Sequence, residues 1–221
     1  MSVTTASTAS TATEAPRKVD YKKDFKWLYL PKEKPELVEV PELLFLTIEG
    51  SGSPDAPAFS EAVEALYALS YAVKMSYKSA AVPDGYYEYT VYPLEGVWDL
   101  IDYTKATLDK DNFKYTLMIR QPDFLTPSLF ERFLAEAGKK KPGLPLSRVT
   151  LTTLTEGACC QMMHLGSYAD EPASFAAMEA YCAEQGWVRA SKTHREIYLS
   201  DPRKTETAKL KTVLRFRVAK K

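Results

Sequence analysis

Two stretches decide the fold of this chain: "LTIEGSGSPDAPAF", Leu46 to Phe59, and "MMHLGSYADEPASF", Met162 to Phe175. In each, a strand-like run stops at a glycine, Gly50 or Gly166, and a helix start marked by Pro57 or Pro172 follows. Phe59 and Phe175 stand at the same offset beyond their glycines, in the first helical turn. The sequel repeats as well. "YYEYTVYPLEG" and "FKYTLMIRQP" read as two strands after the first helix, and "REIYLS" and "LKTVLRFRV" as two after the second. Matching "VYPL" to "IYLS" sets Tyr92 against Tyr198.

The order strand–helix–strand–strand thus occurs twice, over about residues 38–121 and 148–218. Between the copies, "TPSLFERFLAEAG" near 126–138 has a threonine cap, a first-turn proline and a closing glycine, which predicts a linker helix. One βαββ unit is too small to bury its sheet alone. The expected fold is therefore α+β, a single domain over 18–221 with pseudo-twofold symmetry. Antiparallel sheets should carry helices on one side, with a ligand groove between the halves on the face opposite the helices. The Ser/Thr/Ala tract of residues 1–17 has almost nothing to bury and predicts a disordered tail. "YKKDFKWLYLPKEKPELVEVPE" suggests an extended arm on the body.

Composition narrows the function. Lys+Arg and Asp+Glu are 29 each among 221 residues, so no basic excess exists to neutralise phosphates, and direct nucleic-acid binding is not expected. No apolar run reaches the ~18 residues of a membrane span, and no signal pattern opens the chain. Cys159, Cys160 and Cys182 form no framework, which suits core thiols in a reducing cytoplasm. Two histidines, His164 and His194, are thin for a metal site; neither metal nor cofactor is expected. Fourteen Tyr, nine Phe and three Trp suit either an aromatic core or a pocket for a flat organic ligand.

In "THREIYLSDPRK" (Thr193 to Lys204), alternation puts Glu196 and Tyr198 on one strand face and Ile197 and Leu199 on the other. Glu196 is either a solvated carboxylate or the floor of a pocket; in an aromatic cleft, desolvation would raise its pKa toward one useful for acid–base work. Glu171 opens a helix, where the dipole would hold it ionised, as suits a general base. Tyr168 lies in a turn where packing does not need it, placed to stack on a ligand or donate to an oxyanion. Trp98, Phe59 and Met162 are wall or core residues. His164 is a wall residue or a satisfied structural imidazole.

Together, the duplication, "LEGVWD" (Leu94 to Asp99), "MIRQPDF" (Met118 to Phe124), "GSYADEP" (Gly166 to Pro172) and "HREIYLSDPRK" (His194 to Lys204) resemble the GyrI-like small-molecule-binding proteins, in their stand-alone branch. The resemblance implies an aromatic cleft with an acidic floor, which would be Glu196. It also implies a catalytic pair, Glu171 and Glu196, and hydrolysis of cyclopropane-bearing DNA-alkylating natural products. Three readings stand. One is a hydrolase of a planar or electrophilic organic ligand. Another is a non-catalytic drug-sequestering or effector-binding module, and the last is an interaction protein acting on a topoisomerase or other partner.

Overall fold

The computed structural model describes residues 18–105 and 109–221, so the tail expected over residues 1–17 lies outside the described residues. Two single-turn helices come first, α1 (Tyr21–Asp24) and α2 (Lys26–Tyr29). The first βαββ unit is β1 (Glu36–Ser51), α3 (Pro57–Lys74), β2 (Leu94–Leu100) and β3 (Phe113–Arg120). The linker helix α4 (Pro127–Lys140) begins where Thr126 Oγ1 accepts a hydrogen bond from the Leu129 amide at 3.3 Å. The second unit is β4 (Thr150–Leu165), α5 (Glu171–Glu184), β6 (His194–Tyr198) and β7 (Lys211–Lys220), with a short β5 (Trp187–Arg189) inserted after α5.

The strands run in the order β4-β1-β3-β2-β6-β7, and a β4–β7 pairing closes them into a barrel; β5 extends one end of β7. Every ladder is antiparallel. The pseudo-twofold is explicit in the pairing. β1–β3 and β2–β3 in the first unit are repeated by β4–β7 and β6–β7 in the second, and the units join through β1–β4 and β2–β6. Closure removes the exposed edges that an open sheet would present.

Helices α3 and α5 cover the barrel's outside. Ala62, Ala65, Leu66, Leu69 and Val73 of α3 pack with Leu46, Ile48, Leu117 and Ile119. Met178 and Cys182 of α5 pack with Cys160, Met162, Leu214 and Phe216. Cys159 belongs to the first cluster and Cys160 to the second, as adjacent strand residues must when they point opposite ways. No described helix is long and apolar enough to cross a membrane.

The arm is extended only from Glu36, where it becomes β1; its first part is not. Its two helical turns are held from inside the barrel: Tyr29 hydroxyl donates to Glu95 on β2 (3.3 Å), Arg215 of β7 donates to the Leu28 carbonyl (2.8 Å), and Gln161 of β4 donates to the Trp27 carbonyl (2.7 Å). Leu28 and Tyr29 are fully buried there. The stretch ahead of β2 also departs from expectation. Pro93 has no amide to give a ladder, and the strand starts only at Leu94. Tyr92 therefore does not mirror Tyr198. It lies in the core, 5.8 Å from the Tyr29 ring and under the Arg120 guanidinium.

Candidate active site

Strand β6 sets the site by alternation. His194, Glu196 and Tyr198 face outward, toward the N-terminal end of α5; Arg195 faces the barrel interior. Across the β2–β6 ladder, Gly96 lies opposite Glu196 and Trp98 opposite His194. Gly96 is needed for a close approach: a Cβ there would come 2.9 Å from Trp98 Nε1 and 3.2 Å from the Tyr198 hydroxyl. Over this gap Trp98 Nε1 donates to the Tyr198 hydroxyl at 2.7 Å. Phe59, in the first turn of α3, stacks on the indole with centroids 6.0 Å apart.

The other half comes from the β4–α5 turn. His164 uses both ring nitrogens on it, Nδ1 with Ser174 Oγ and Nε2 with the Ser167 carbonyl, each at 2.9 Å. That staple fixes the turn carrying Tyr168 and Glu171. Tyr168 is half-exposed and meets Tyr198 edge-on at 6.2 Å. Glu171 is only 6% exposed, and its Oε1 has no ordinary hydrogen-bond partner among the described residues. What it meets is the Glu196 carboxyl group, itself buried.

Two carboxylates can hydrogen-bond each other only through a shared proton. Glu171 keeps it. Burial first, then the charge of Glu196 and their mutual hydrogen bond, push Glu171 up to about 9. A helix N-terminus supplies roughly half a positive charge, too little to offset both effects, so the expectation of an ionised Glu171 is reversed. Glu196 has further partners. His194 Nε2 lies 3.0 Å from its Oε1, and the Tyr198 hydroxyl, already accepting from Trp98, turns its proton to it. His194 is in turn wedged by Phe175 of α5, edge-on at 4.8 Å. Burial, followed by Glu196, raises Tyr198 well above the usual phenol range. The same causes in the same order raise Tyr168 to about 12, so both remain donors at neutrality.

The chain as a whole has close counterparts. The GyrI-like small molecule binding domain model matches residues 33–219. The chain belongs to the GyrI-like family. A hydrolase from Listeria innocua is 40% identical, covering 91% of this chain and 100% of its own, with a TM-score of 0.85. An uncharacterized conserved protein from the same organism is 41% identical over 91% and 100%, with a TM-score of 0.87. The EcmrR C-terminal domain, 15% identical over 88% and 99% at a TM-score of 0.51, shares the fold. No curated protein matches the chain.

This GyrI-like domain brings together Glu171, Glu196, Tyr168, Tyr198, Trp98 and Phe59 of the residues expected from sequence. Met162 instead packs in the α5 core, and His164 is the turn staple. The carboxyl groups sit on the helix-covered face of the sheet, not the opposite face, because Glu171 is itself the first residue of α5. Sequence reasoning missed Gly96, Phe175 and His194. The last was legible as the residue two before Glu196 on the same strand face. Glu171, His194 and Glu196 can each offer a ligand atom within 4.8 Å of the others, and a divalent cation placed there would displace the shared proton.

Proposed function

We propose that this GyrI-like domain is a hydrolase that adds water to electrophilic, planar small molecules, the substrate class being a strained cyclopropane conjugated to a dienone. The observation that carries this reading is the buried carboxyl pair, Glu171 against Glu196, with Glu171 pushed up to about 9 by burial and by Glu196. Acid and base of opposite charge state side by side are what addition of water across a polarised ring requires. Glu196, held by His194 and Tyr198, takes a proton from water as the water oxygen bonds to the ring methylene. The ring carbon–carbon bond breaks, and its electron pair passes through the conjugated system to the carbonyl oxygen. Glu171 delivers its proton to that oxygen, leaving a phenol-type product one water heavier. Tyr168, half-exposed over Tyr198, is the side chain that must move to admit a ligand, and Trp98 with Phe59 offers the wall for a flat ring system.

The test is incubation with a cyclopropane-bearing dienone followed by mass spectrometry. Wild type should give the product of water addition, while Glu171→Gln and Glu196→Gln should each lose roughly 10²–10⁴-fold in rate with the fold intact by circular dichroism. Wild-type turnover in both variants would overturn the reading. Saturable binding with unchanged ligand mass would assign the domain to drug sequestration instead.

A further inference from the structure

Arg195, Arg215 and Arg217, which turn away from the carboxyl pair, line something else. A cavity of about 1240 Å³ opens inside the barrel, at the end away from α1 and α2. Its floor is charged and buried: Arg195 donates to Glu95 (2.9 Å) and Arg215 to Glu156 (3.0 Å), while Arg195 Nε lies 3.1 Å from Glu156. Two arginines thus balance two glutamates there. Arg195 is only 4% exposed, and its Nε–H is not committed to a hydrogen bond of good geometry.

The mouth is not balanced. Arg217 of β7, Lys114 of β3 and Arg148 ahead of β4 all line it, against Glu49 in the lining and Asp99, which stands across the β2–β3 ladder from Lys114. Arg148 donates to the Glu49 backbone carbonyl, which leaves its charge uncancelled. Arg217 and Lys114 make no direct hydrogen bond or ion pair among the described residues, and Arg217 acts on the Glu156 charge only from a distance. The walls between are rich in threonine hydroxyls, including those of Thr47, Thr116 and Thr152. Cations at the rim of a concave, low-dielectric cavity focus potential into it.

We infer that the open end of the barrel is a second ligand site, separate from the carboxyl pair, taking a small organic molecule that bears two or more oxyanion groups. Three cations on three separate elements surround the mouth, so one oxyanion cannot meet them all, whereas a di- or tri-anion can. Charge-assisted hydrogen bonds from Arg217 and Arg148, with Lys114 as a point charge and threonines as neutral donors, supply the recognition. The planar electrophile proposed for the outer face carries no such groups, so this site serves a different ligand.

Isothermal titration calorimetry of the whole chain with pyrophosphate and with citrate, at fixed ionic strength, tests this. At least one anion should bind saturably, and the difference between them tells phosphate from carboxylate chemistry. Arg217→Gln with Lys114→Gln should weaken that binding by about tenfold or more, since two charge-assisted contacts are lost. Both changes are at exposed side chains, so the fold should persist, as circular dichroism would check. Glu171→Gln should bind the anion as wild type does. Absence of saturable binding by either anion, equal binding in the double variant, or equal loss in Glu171→Gln would each overturn the inference.

Discussion

Arg195 and Glu196 are neighbours in the chain but belong to opposite worlds. Inside the barrel, Arg195 bridges Glu95 and Glu156, and Arg215 pairs with Glu156 as well. Outside, Glu196 meets a second carboxyl group and the His194 imidazole. The consequences for two buried glutamates run in opposite directions. Burial works against ionisation of Glu156, yet Arg195 and Arg215 hold its carboxyl below the usual range; burial and Glu196 together drive Glu171 far above it. Burial and neighbouring charge compete: the arginines win at Glu156, whereas burial wins at Glu95 although Arg195 is its partner. On the inner face the arginines hold Glu156 down, although burial still raises Glu95 beside them; on the outer face nothing offsets the rise of Glu171.

The largest effect should follow from breaking the inner face. Glu156→Gln leaves Arg195 and Arg215 short of a counter-charge in the barrel, and removal of one partner of a buried ion network costs about 3–5 kcal/mol. Because its folded pKa is depressed, Glu156 contributes stability that is full above the unfolded value near 4.5 and is lost as pH falls through the folded one. Urea unfolding at pH 7 should show the loss, and the gap between variant and wild type should narrow in acid.

On the outer face the sign reverses. Glu171 is raised, so its contribution is fully present below about 4.5 and is lost progressively as pH rises toward about 9. Glu171→Gln removes that liability, and should therefore be more stable than wild type by roughly 2 kcal/mol at pH 7, with a gap that widens upward in pH. A variant that is inactive yet more stable is the signature of a site that sacrifices stability for chemistry. If Glu171→Gln is destabilised at pH 7, the shared proton is not there. If a chelator abolishes turnover in wild type, a metal occupies its place.

The sequence was most informative where one element speaks for itself. Thr126-Pro127 announced α4, the two glycine-ended strands announced the repeat, and alternation put Glu196 with Tyr198. It was silent where partners come from far along the chain. Closure rests on β1 pairing with β4 and β4 with β7, ladders that no local pattern encodes. For the same reason no local pattern marks Glu95, Glu156, Arg195 and Arg215 as one buried network. Alternation separates the two faces of a strand but does not say that one of them will become the inside of a barrel. The Glu171 reading failed on similar grounds, since its helix position was visible and the second carboxyl group across the fold was not. Tyr92 was misplaced because Pro93, which cuts the strand short, was read through.

Gly96 offers the smallest change that distinguishes the faces. Alanine there adds one methyl group on the outer side, against Trp98 Nε1 and the Tyr198 hydroxyl, while the Glu95–Arg195 pair on the inner side keeps its geometry. The obstructing atoms belong to side chains rather than backbone, so the overpacking cost should fall at the low end, about 1 kcal/mol. The displaced Tyr198 would no longer support Glu196, and turnover should drop about tenfold with little change in the stability slope in acid. Combining Gly96→Ala with Glu156→Gln sharpens the contrast. The two sites share no partner, so their stability losses should add to within about 0.5 kcal/mol. A larger coupling would mean that strain on the carboxyl side is transmitted through β2 and β6 to the arginine network, and that the two faces work as one device rather than two.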